Sequence, residues 1–278
     1  MSRWIMHFEV VSPSPALADY VAYYGLWEDE EDDAQLGASV LPGVVNGIQV
    51  RYADPYKTVS LAQAGSVQVT AAAEVVCMVS WQQLYMRQTS RAGMLGVYFR
   101  PAGCFHLFGA PMSDTAGIIL EAEGLAGQFA RELSQRLSQA ETNSQKLAAA
   151  DELLLRQLHC QQPVPNAIDV AAERILDQHG QVNIEDLAHD AGLSRRQLER
   201  RFLAEVGAPP KHYARIARFN HVLQLLVENP APNWQDIAYR CGYYDQAHFI
   251  RDFRFFTGKS PSQYSLVDSD FSHFFWAR

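Results

Sequence analysis

The pattern of apolar and polar positions divides the chain into a β-rich first part and a helical second part. Up to about Pro111, short runs rich in Val, Tyr, Trp and Phe are separated by turn residues, which predicts strands. These runs are GIQVRYA, TVSLA, SVQVTAAA, VVCMVSWQQLYM and MLGVYF. The segment PALADYVAYYGLW differs, because Leu17, Tyr20, Val21 and Tyr24 recur at helical spacing and predict a helix.

Apolar stripes predict a helical hairpin after the strands. Phe129, Leu133 and Leu137 step by four, and a second leucine stripe follows the polar segment AETNS. We interpret the hairpin, from Gly127 to His159, as a candidate dimer interface, because such stripes can pack across a two-fold axis. Packing of the stripes on their own domain is the competing explanation.

Two prolines mark a boundary in the polar segment CQQPVPNA, and all later patterns are helical. The sequence therefore predicts a first domain over residues 1–160, a linker over 161–166 and a second domain over 167–278. The fold class is α+β. We expect a small β-barrel-like (cupin-like) first domain that carries the hairpin, and an all-α second domain.

Composition narrows the class of protein. The 278 residues are 48% hydrophobic and 19% charged, which is typical of a globular chain with a buried core. No stretch has the ~18 consecutive apolar residues of a membrane span, and the start is a poor signal peptide. We expect a cytoplasmic protein with no membrane partner. The four cysteines form no CxxC pair, so we expect no zinc cluster, no disulfide framework and no cofactor.

Charge is distributed unevenly along the chain. The net charge is −8, of which −7 lies before Asn166 and −1 from there onward. Four arginines fall within the segment GLSRRQLERRF, from Gly192 to Phe202. At a Debye length of ~10 Å the local field governs phosphate binding, so the acidic average does not exclude nucleic acid.

The second domain contains an internal repeat at a period of about 50 residues. One residue is inserted in the second copy, after which the offset is 51. The matching pairs are Leu187 and Ile237, Gly192 and Gly242, Ser194 and Asp245, Leu198 and Phe249, Arg200 and Arg251, Phe202 and Phe253, Gly207 and Gly258, Pro210 and Pro261, and Tyr213 and Tyr264. This agreement indicates a duplicated supersecondary unit.

The first copy has the signals of a helix-turn-helix. Asn183 is a predicted N-cap, and Gly192 suits the turn after a short helix. Ser194 and Gln197 form a capping box at the start of the next helix. A short helix, a tight turn and a second capped helix make a helix-turn-helix unit.

Helical geometry assigns two faces to the second helix of this copy. Leu198 and Phe202 face the core, and Arg196 and Arg200 lie opposite. In a helix-turn-helix this outer face enters the DNA major groove. Arginine can donate two hydrogen bonds to guanine, worth ~1–3 kcal/mol of discrimination.

Residues beside this face complete the predicted DNA contact. Gln197 and Glu199 flank the two outward arginines. Arg195, near the helix N-terminus, and Arg201, at the edge of the core face, are better placed for phosphates.

The second copy predicts a less basic face. Asn233 and Asp245 are its N-caps, and Gly242 makes the turn. The candidate DNA-contacting residues of this copy are Gln246, Ala247, His248, Ile250 and Arg251. We expect them to contribute less charge than the first copy.

A solvated surface is the usual reason for an arginine-rich helix face. Two copies at fixed spacing, each with a capped second helix and an outward arginine, favour recognition instead. Between the copies Ile216, Phe219, Leu223 and Leu226 predict a long helix of ~18 residues, or ~27 Å. Such a helix can hold two recognition helices about one DNA turn apart, ~34 Å.

The segment IAYRCGYYDQAHFIRDFRFFTGKSPSQY, Ile237 to Tyr264, resembles the C-terminal DNA-binding domain of the AraC/XylS transcription regulators. The resemblance covers about Ala167 to Tyr264 and implies seven helices with two helix-turn-helix units joined by a long helix. The sequence departs from the family pattern at Ser265, where Arg is usual, and at Ala247, where a polar residue is usual. An aromatic tail, SLVDSDFSHFFWAR, extends beyond the motif.

The resemblance also implies an N-terminal module for effector sensing and dimerisation. The segment FRPAGCFHLFG, Phe99 to Gly109, looks similar to sensor domains of less characterised family members. Aromatic residues of the β-rich part predict an apolar effector site. The candidate effector-binding residues are Trp27, Tyr52, Trp81, Tyr98 and His106. Filling of a small barrel's core explains the aromatic residues equally well. His7 and His106 are too far apart in sequence to suggest a metal site.

These patterns favour a sequence-specific transcription regulator that binds double-stranded DNA as a homodimer, controlled by an unknown small-molecule effector in its first domain. RNA polymerase is a further candidate partner. The alternative is a DNA-binding regulator whose first domain binds a protein instead. An enzyme is not expected, because the dispersed cysteines offer no activated nucleophile and no Ser-His-Asp or phosphate-loop motif occurs.

Overall fold

The computed structural model describes residues 7–29, 37–52, 57–60, 66–69, 73–77, 84–87, 92–115, 119–121, 123–229 and 233–264. Trp81 and the aromatic tail over 265–278 lie outside the described residues. Within the described ranges, no helix combines the length and the apolar character needed to span a bilayer.

Ten strands lie in the described part of the N-terminal region. In chain order they are β1 His7–Val11, β2 Val21–Asp29, β3 Gly37–Val40, β4 Asn46–Arg51, β5 Lys57–Ser60, β6 Ser66–Val69, β7 Ala73–Cys77, β8 Leu84–Arg87, β9 Ala92–Phe99 and β10 Ile119–Glu121. Each of the five predicted strand runs contains a strand, and VVCMVSWQQLYM contains parts of two.

The strands form two antiparallel sheets. The larger sheet has the order β1-β2-β9-β4-β7-β10, and the smaller has the order β3-β8-β5-β6. The expected β-rich N-terminal region is therefore present. Among the described strands, no hydrogen-bonded pair links the two sheets. The predicted barrel is therefore not closed in this part of the chain.

The predicted helix over PALADYVAYYGLW is wrong. Only Pro15–Leu17 forms a single 3₁₀ turn, and β2 begins at Val21. Tyr24 and Leu26 pack on one side of the sheet, whereas Trp27 is buried on the other. A strand that is buried on both faces does not alternate cleanly between apolar and polar residues, so its tyrosines matched a helical period by chance.

The helices of the described residues fall into two groups. In chain order they are α1 Gly103–Phe108, α2 Glu123–Gln139, α3 Asn143–Gln161, α4 Ala167–Asp177, α5 Ile184–Asp190, α6 Arg195–Val206, α7 Pro210–Glu228, α8 Trp234–Arg240 and α9 Gln246–Thr257. Helices α1 to α3 accompany the sheets, and α4 to α9 form the C-terminal helix-turn-helix domain. A 3₁₀ turn over Pro261–Gln263 follows α9.

The hairpin of α2 and α3 packs on its own sheet. Phe129, Leu133 and Leu137 of α2 are buried in one core with Leu153 and Leu154 of α3 and with one face of the larger sheet. Outside this core the two helices are linked by ion pairs, including Arg136 with Glu152 at 2.8 Å. The structure therefore favours the competing explanation of the leucine stripes, packing within one chain, over a dimer interface.

The N-terminal region and the C-terminal helical domain share a core. Leu41, from the loop between β3 and β4, and Ala102, from the turn before α1, are buried in the same cluster as Phe202 of α6 and Phe219 of α7. The extended segment between α3 and α4 is held by Tyr20, whose hydroxyl donates to the carbonyl of Pro163 at 2.9 Å.

Candidate nucleic-acid interface

The first helix-turn-helix is built from α5 and α6. The Asn183 side chain accepts a hydrogen bond from the Glu185 N–H at 2.8 Å and begins α5. Gly192 has φ +65° in the turn, in the left-handed region that favours glycine. Ser194 and Gln197 form the capping box of α6. The predicted caps and turn are confirmed.

The outer face of α6 is basic. Leu198 and Phe202 are fully buried, whereas Arg196 and Arg200 are exposed on the opposite side. The predicted inward and outward faces of this helix are therefore confirmed. Two exposed guanidinium groups one turn apart have the reach and the donors to contact guanine in a major groove.

Arg195 joins the two helices of the first unit. Its Nη1 lies 2.7 Å from a Glu185 carboxylate oxygen on α5, and its Nε lies 2.9 Å from Glu199 on α6. The hydrogen bonds to Glu199 and Glu185 raise the pKa of the Arg195 guanidinium. A phosphate that binds Arg195 has to compete with these carboxylates.

Arg201 holds α6 against α4. Its Nε donates to Glu205 at 2.9 Å, and its Nη2 donates to the Oδ1 of Asn166, the N-cap of α4, at 2.9 Å. Glu205 is buried, so this pairing lies at the edge of the core. Arg201, which the sequence assigned to a phosphate contact, thus forms hydrogen bonds within the protein in this structure.

The second helix-turn-helix is built from α8 and α9. The Asn233 side chain caps α8 by accepting from the Gln235 N–H at 3.0 Å. Gly242 has φ +68° in the turn, and the Asp245 carboxylate accepts from the His248 N–H at 2.6 Å to begin α9. Its caps and turn match the first unit, as the repeat predicts.

The predicted DNA-contacting residues of α9 differ in exposure. Gln246, Ala247 and Arg251 are exposed, whereas His248 and Ile250 are partly buried. Ile250 packs against the core of the domain. Arg251 is therefore the outward cation at the position equivalent to Arg200 in the first unit.

An aromatic core holds α9 in place. The Phe249 ring lies 6.0 Å from Trp234 of α8, and the Phe253 ring lies 5.8 Å from Phe219 of α7. Contacts at such distances are typical of packed aromatic pairs. Because α7 contributes to this core and to that of the first unit, it fixes the two recognition helices relative to each other.

Two exposed tyrosines beside the second recognition helix were missed from the sequence. Tyr244 is 93% exposed and Tyr239 is 84% exposed. Tyr244 is the extra residue of the second copy and lies just before the N-cap of α9. The change of the repeat offset from 50 to 51 marks this residue in the sequence. Tyrosine hydroxyls commonly donate to DNA phosphates.

The structure brings together two of the predicted effector-binding residues. The rings of Trp27 and Tyr98 are 5.8 Å apart and buried on the face of the larger sheet opposite the hairpin, which we call its inner face. Gln49 donates to the Tyr98 hydroxyl at 2.9 Å, and the Tyr23 ring stacks on Tyr98 at 4.8 Å. A Cβ at Gly96 would lie 2.5 Å from the Tyr98 ring, so glycine is required for this arrangement.

Tyr52 lies in a different cluster. It packs against the core between the larger sheet and the hairpin, and its hydroxyl donates to Glu28 at 2.7 Å. The Lys146 ammonium lies 2.6 Å from the same carboxylate and 4.0 Å from the centre of the Tyr52 ring. Burial alone would raise the pKa of Glu28, but the hydrogen bonds from Lys146 and Tyr52 hold it below its ordinary value.

His106 lies at the contact between the two parts of the chain. Its Nε2 is 2.9 Å from a carboxylate oxygen of Asp169 in the first turn of α4. The Tyr20 ring meets it edge-on at 5.6 Å. His106 is therefore not grouped with Trp27 and Tyr98.

The described residues contain no group of three or more His, Cys, Asp or Glu that could hold a metal ion. Cys104 and Cys241 are buried and Cys160 is exposed. Burial raises the pKa of the Cys241 thiol to about 12, so this thiol is protonated at neutral pH.

Two family models match the chain. A helix-turn-helix domain matches residues 187–266, and a domain of unknown function, DUF6597, matches residues 9–121. No curated protein matches the sequence.

The chain is also similar to solved structures of ToxT from Vibrio cholerae. One such structure shares 10% identity, covers 87% of this chain and 96% of that chain, and has a TM-score of 0.46. A structure of ToxT from strain SCE256 with a bound unsaturated fatty acid shares 10% identity over 95% and 96% of the two chains, with a TM-score of 0.44. A third, bound to (E)-4-(8-methylnaphthalen-1-yl)but-3-enoic acid, shares 11% over 94% and 99%, with a TM-score of 0.47.

The helix-turn-helix match spans both α6 and α9. It covers the segment Ile237 to Tyr264, whose caps, turn and buried aromatic residues the structure shows in place. The chain therefore carries an AraC-type helix-turn-helix domain over residues 187–266.

Proposed function

We propose that this regulator binds a specific DNA sequence through α6 and α9 and that a small molecule bound in its N-terminal region controls that binding. The observation that carries the DNA contact is the outer face of α6. Its exposed Arg196 and Arg200 lie on a helix that is capped and packed like a recognition helix, and Arg251 repeats the arrangement on α9.

The proposed base contacts are tested by removing one guanidinium at a time. Arg196→Ala and Arg200→Ala should each weaken binding to the regulator's own promoter region by about fivefold to a hundredfold, because each removes donors to a base. Arg131→Ala is the matched control, since Arg131 is an exposed arginine on α2. Binding is measured by gel shift at physiological salt with random DNA as competitor.

If neither α6 variant changes the affinity, the assignment of this face to DNA is wrong. If the wild-type chain shows no preference for its promoter region, the proposal of sequence-specific binding fails.

The inner face of the larger sheet is the proposed effector site. Trp27 and Tyr98 lie there with Gln49. Met94 is the register partner of both Trp27 and Arg51, so these three residues lie side by side on the same face. Arg51 is buried on the same strand, two residues from Gln49. Aromatic walls with a few polar groups suit a planar organic ligand that carries a polar or anionic group.

A thermal-shift screen of metabolites against the full chain tests this site. A ligand should raise the melting temperature of the wild type, and Trp27→Ala should abolish the shift, because the ligand stabilises only the folded state. Tyr52→Ala is the control, since Tyr52 lies in the separate cluster with Glu28. A screen without any shift, together with capture of a defined protein partner, would favour a protein-binding N-terminal region.

The remaining parts of the proposal concern assembly and location. We propose a cytoplasmic homodimer that contacts RNA polymerase when bound to DNA. Light scattering at several concentrations tests the dimer. We propose an interface outside the hairpin stripes, because their side chains are buried within one chain.

A further inference from the structure

The two recognition helices end at equivalent positions with different chemistry. Helix α6 ends at Val206 and α9 ends at Thr257, 51 residues later, at the offset of the internal repeat. Both are followed by a left-handed glycine, Gly207 and Gly258. The carbonyl groups of a helix's last turn lack partners within the helix and need other donors.

In the second unit the last residue of the recognition helix uses its side chain within its own helix and turn. The Thr257 hydroxyl donates to the Phe253 carbonyl at 2.7 Å and accepts from the Lys259 N–H at 3.1 Å. Thr257 is 2% exposed, so these bonds are sheltered from water. All three residues belong to α9 or to the turn that follows it.

In the first unit the last carbonyl of the recognition helix has a donor from the N-terminal region. Valine has no hydroxyl, and the carbonyl of Val206 accepts from the Nδ2 of Asn46 at 2.9 Å. Asn46 is 1% exposed and Val206 is fully buried. Without Asn46 this buried carbonyl would lose its donor, which is costly in the absence of water.

Asn46 is itself fixed in the sheet. It is the first residue of β4, where its backbone lies in register with Phe99 of β9 and Cys77 of β7. The same strand continues through Gln49 to Arg51 on the inner face. One strand thus joins the inner face of the sheet to the end of α6.

A second contact supports the same link. The Tyr213 hydroxyl, near the start of α7, donates to the carbonyl of Val44 at 2.9 Å. Val44 and Leu41, from the loop before β4, pack in the core of the helical domain. The loop thus contacts the start of α7, and the first residue of β4 contacts the end of α6.

We propose that Asn46 is a positioning residue for DNA binding, which caps the first recognition helix from the N-terminal region and makes that helix, and not the second, the one that the region controls. The inference rests on the proposed function, since it deepens the account of how the N-terminal region regulates DNA binding. It adds that the N-terminal region affects DNA binding by the first helix-turn-helix unit more than binding by the second. Each unit binds one half of the DNA site, which we call its half-site.

Hydrogen exchange in the full chain tests the link without DNA or effector. Asn46→Ala should increase the rate of amide exchange in the last turn of α6 by about fivefold, which corresponds to the net free energy of one hydrogen bond. The rate in the last turn of α9 should not change. Thr257→Val is the matched variant and should show the reverse. Tyr213→Phe, which removes only a hydroxyl, should loosen α6 and spare α9 even if Asn46→Ala fails to fold. Unchanged exchange in α6, or equal increases in both helices, would overturn the inference.

Footprinting then tests the consequence for DNA. The half-site of the first unit is identified as the one that Arg196→Ala weakens. Asn46→Ala should weaken protection of that half-site by about fivefold and leave the other unchanged. Equal weakening of both half-sites would contradict the proposal. If the wild type gives no footprint, the proposed function fails, and the exchange experiment still decides the role of Asn46.

Discussion

At the scale of single residues, the four arginines of α6 serve different purposes. Arg196 and Arg200 are exposed, whereas Arg195 bridges α5 and α6, and Arg201 is tied to Asn166 and Glu205. Helical periodicity predicted which arginines face outward. It did not predict the pairing of Arg201, because Asn166 lies on another element, 35 residues away.

Arg201→Ala should lower the free energy of unfolding by ~1–3 kcal/mol, because it leaves the buried Glu205 with fewer donors. Arg196→Ala should leave stability unchanged, since its side chain is exposed. Urea unfolding of both variants measures the difference. Equal stability of the two variants would show that the pairing of Arg201 contributes little.

A buried histidine makes stability depend on pH. Burial, assisted by the nearby Arg215, lowers the pKa of His212 to about 4, against the opposing charge of Asp252. The unfolded chain therefore binds a proton between about pH 6.5 and pH 4 that the folded chain does not. The free energy of unfolding should fall as the pH is lowered through this window, by ~1–3 kcal/mol.

Urea unfolding between pH 7 and pH 4.5 measures this slope, and His212→Gln should make it shallower. A residual slope is expected, because burial also lowers the pKa of His221 to about 4, with help from His179 and Arg240. An unchanged slope in His212→Gln would mean that His212 titrates normally in the folded state.

At the scale of elements, local signals predicted the C-terminal domain well. Each helix-turn-helix has side-chain caps within three residues of its helix starts, and such caps are visible in sequence. Strand β2 was misassigned because it is buried on both faces. The strand runs were recognised but their sheet order was not, since β9 pairs with β2 and β4 across long loops.

The leucine stripes of the hairpin should contribute to the stability of the fold and not to the oligomeric state. Leu133→Ala and Leu154→Ala should each cost ~2–5 kcal/mol of stability, because both side chains are fully buried in the N-terminal core. Their oligomeric state should equal that of the wild type. Thermal unfolding and light scattering measure the two properties, and loss of a dimer without loss of stability would restore the hairpin as an interface.

At the scale of the whole molecule, the N-terminal region and the helical domain are one packed body in the described residues. Leu41 and Ala102 belong to the helical core, and Arg100 pairs with Glu173 of α4 at 3.2 Å. No sequence pattern predicted these contacts, because the partners lie far apart in the chain, 73 residues for Arg100 and Glu173, and no local motif marks either residue.

The wild-type chain should therefore unfold in a single calorimetric transition. Leu41→Ala should lower its midpoint and separate the unfolding of the two parts, because Leu41 is buried across their boundary. Two transitions in the wild type would contradict a shared core. Differential scanning calorimetry of the wild type and of Leu41→Ala, at the same scan rate, measures the number of transitions and their midpoints.

The loop that carries Leu41 and Val44 also has a consequence for synthesis. Chains fold from the N-terminus as they emerge from the ribosome. This loop and Ala102 are made long before α4 to α7, which cover them in the finished protein. During that interval their apolar side chains face water, and the nascent chain presents a binding site for the chaperones that recognise such surfaces.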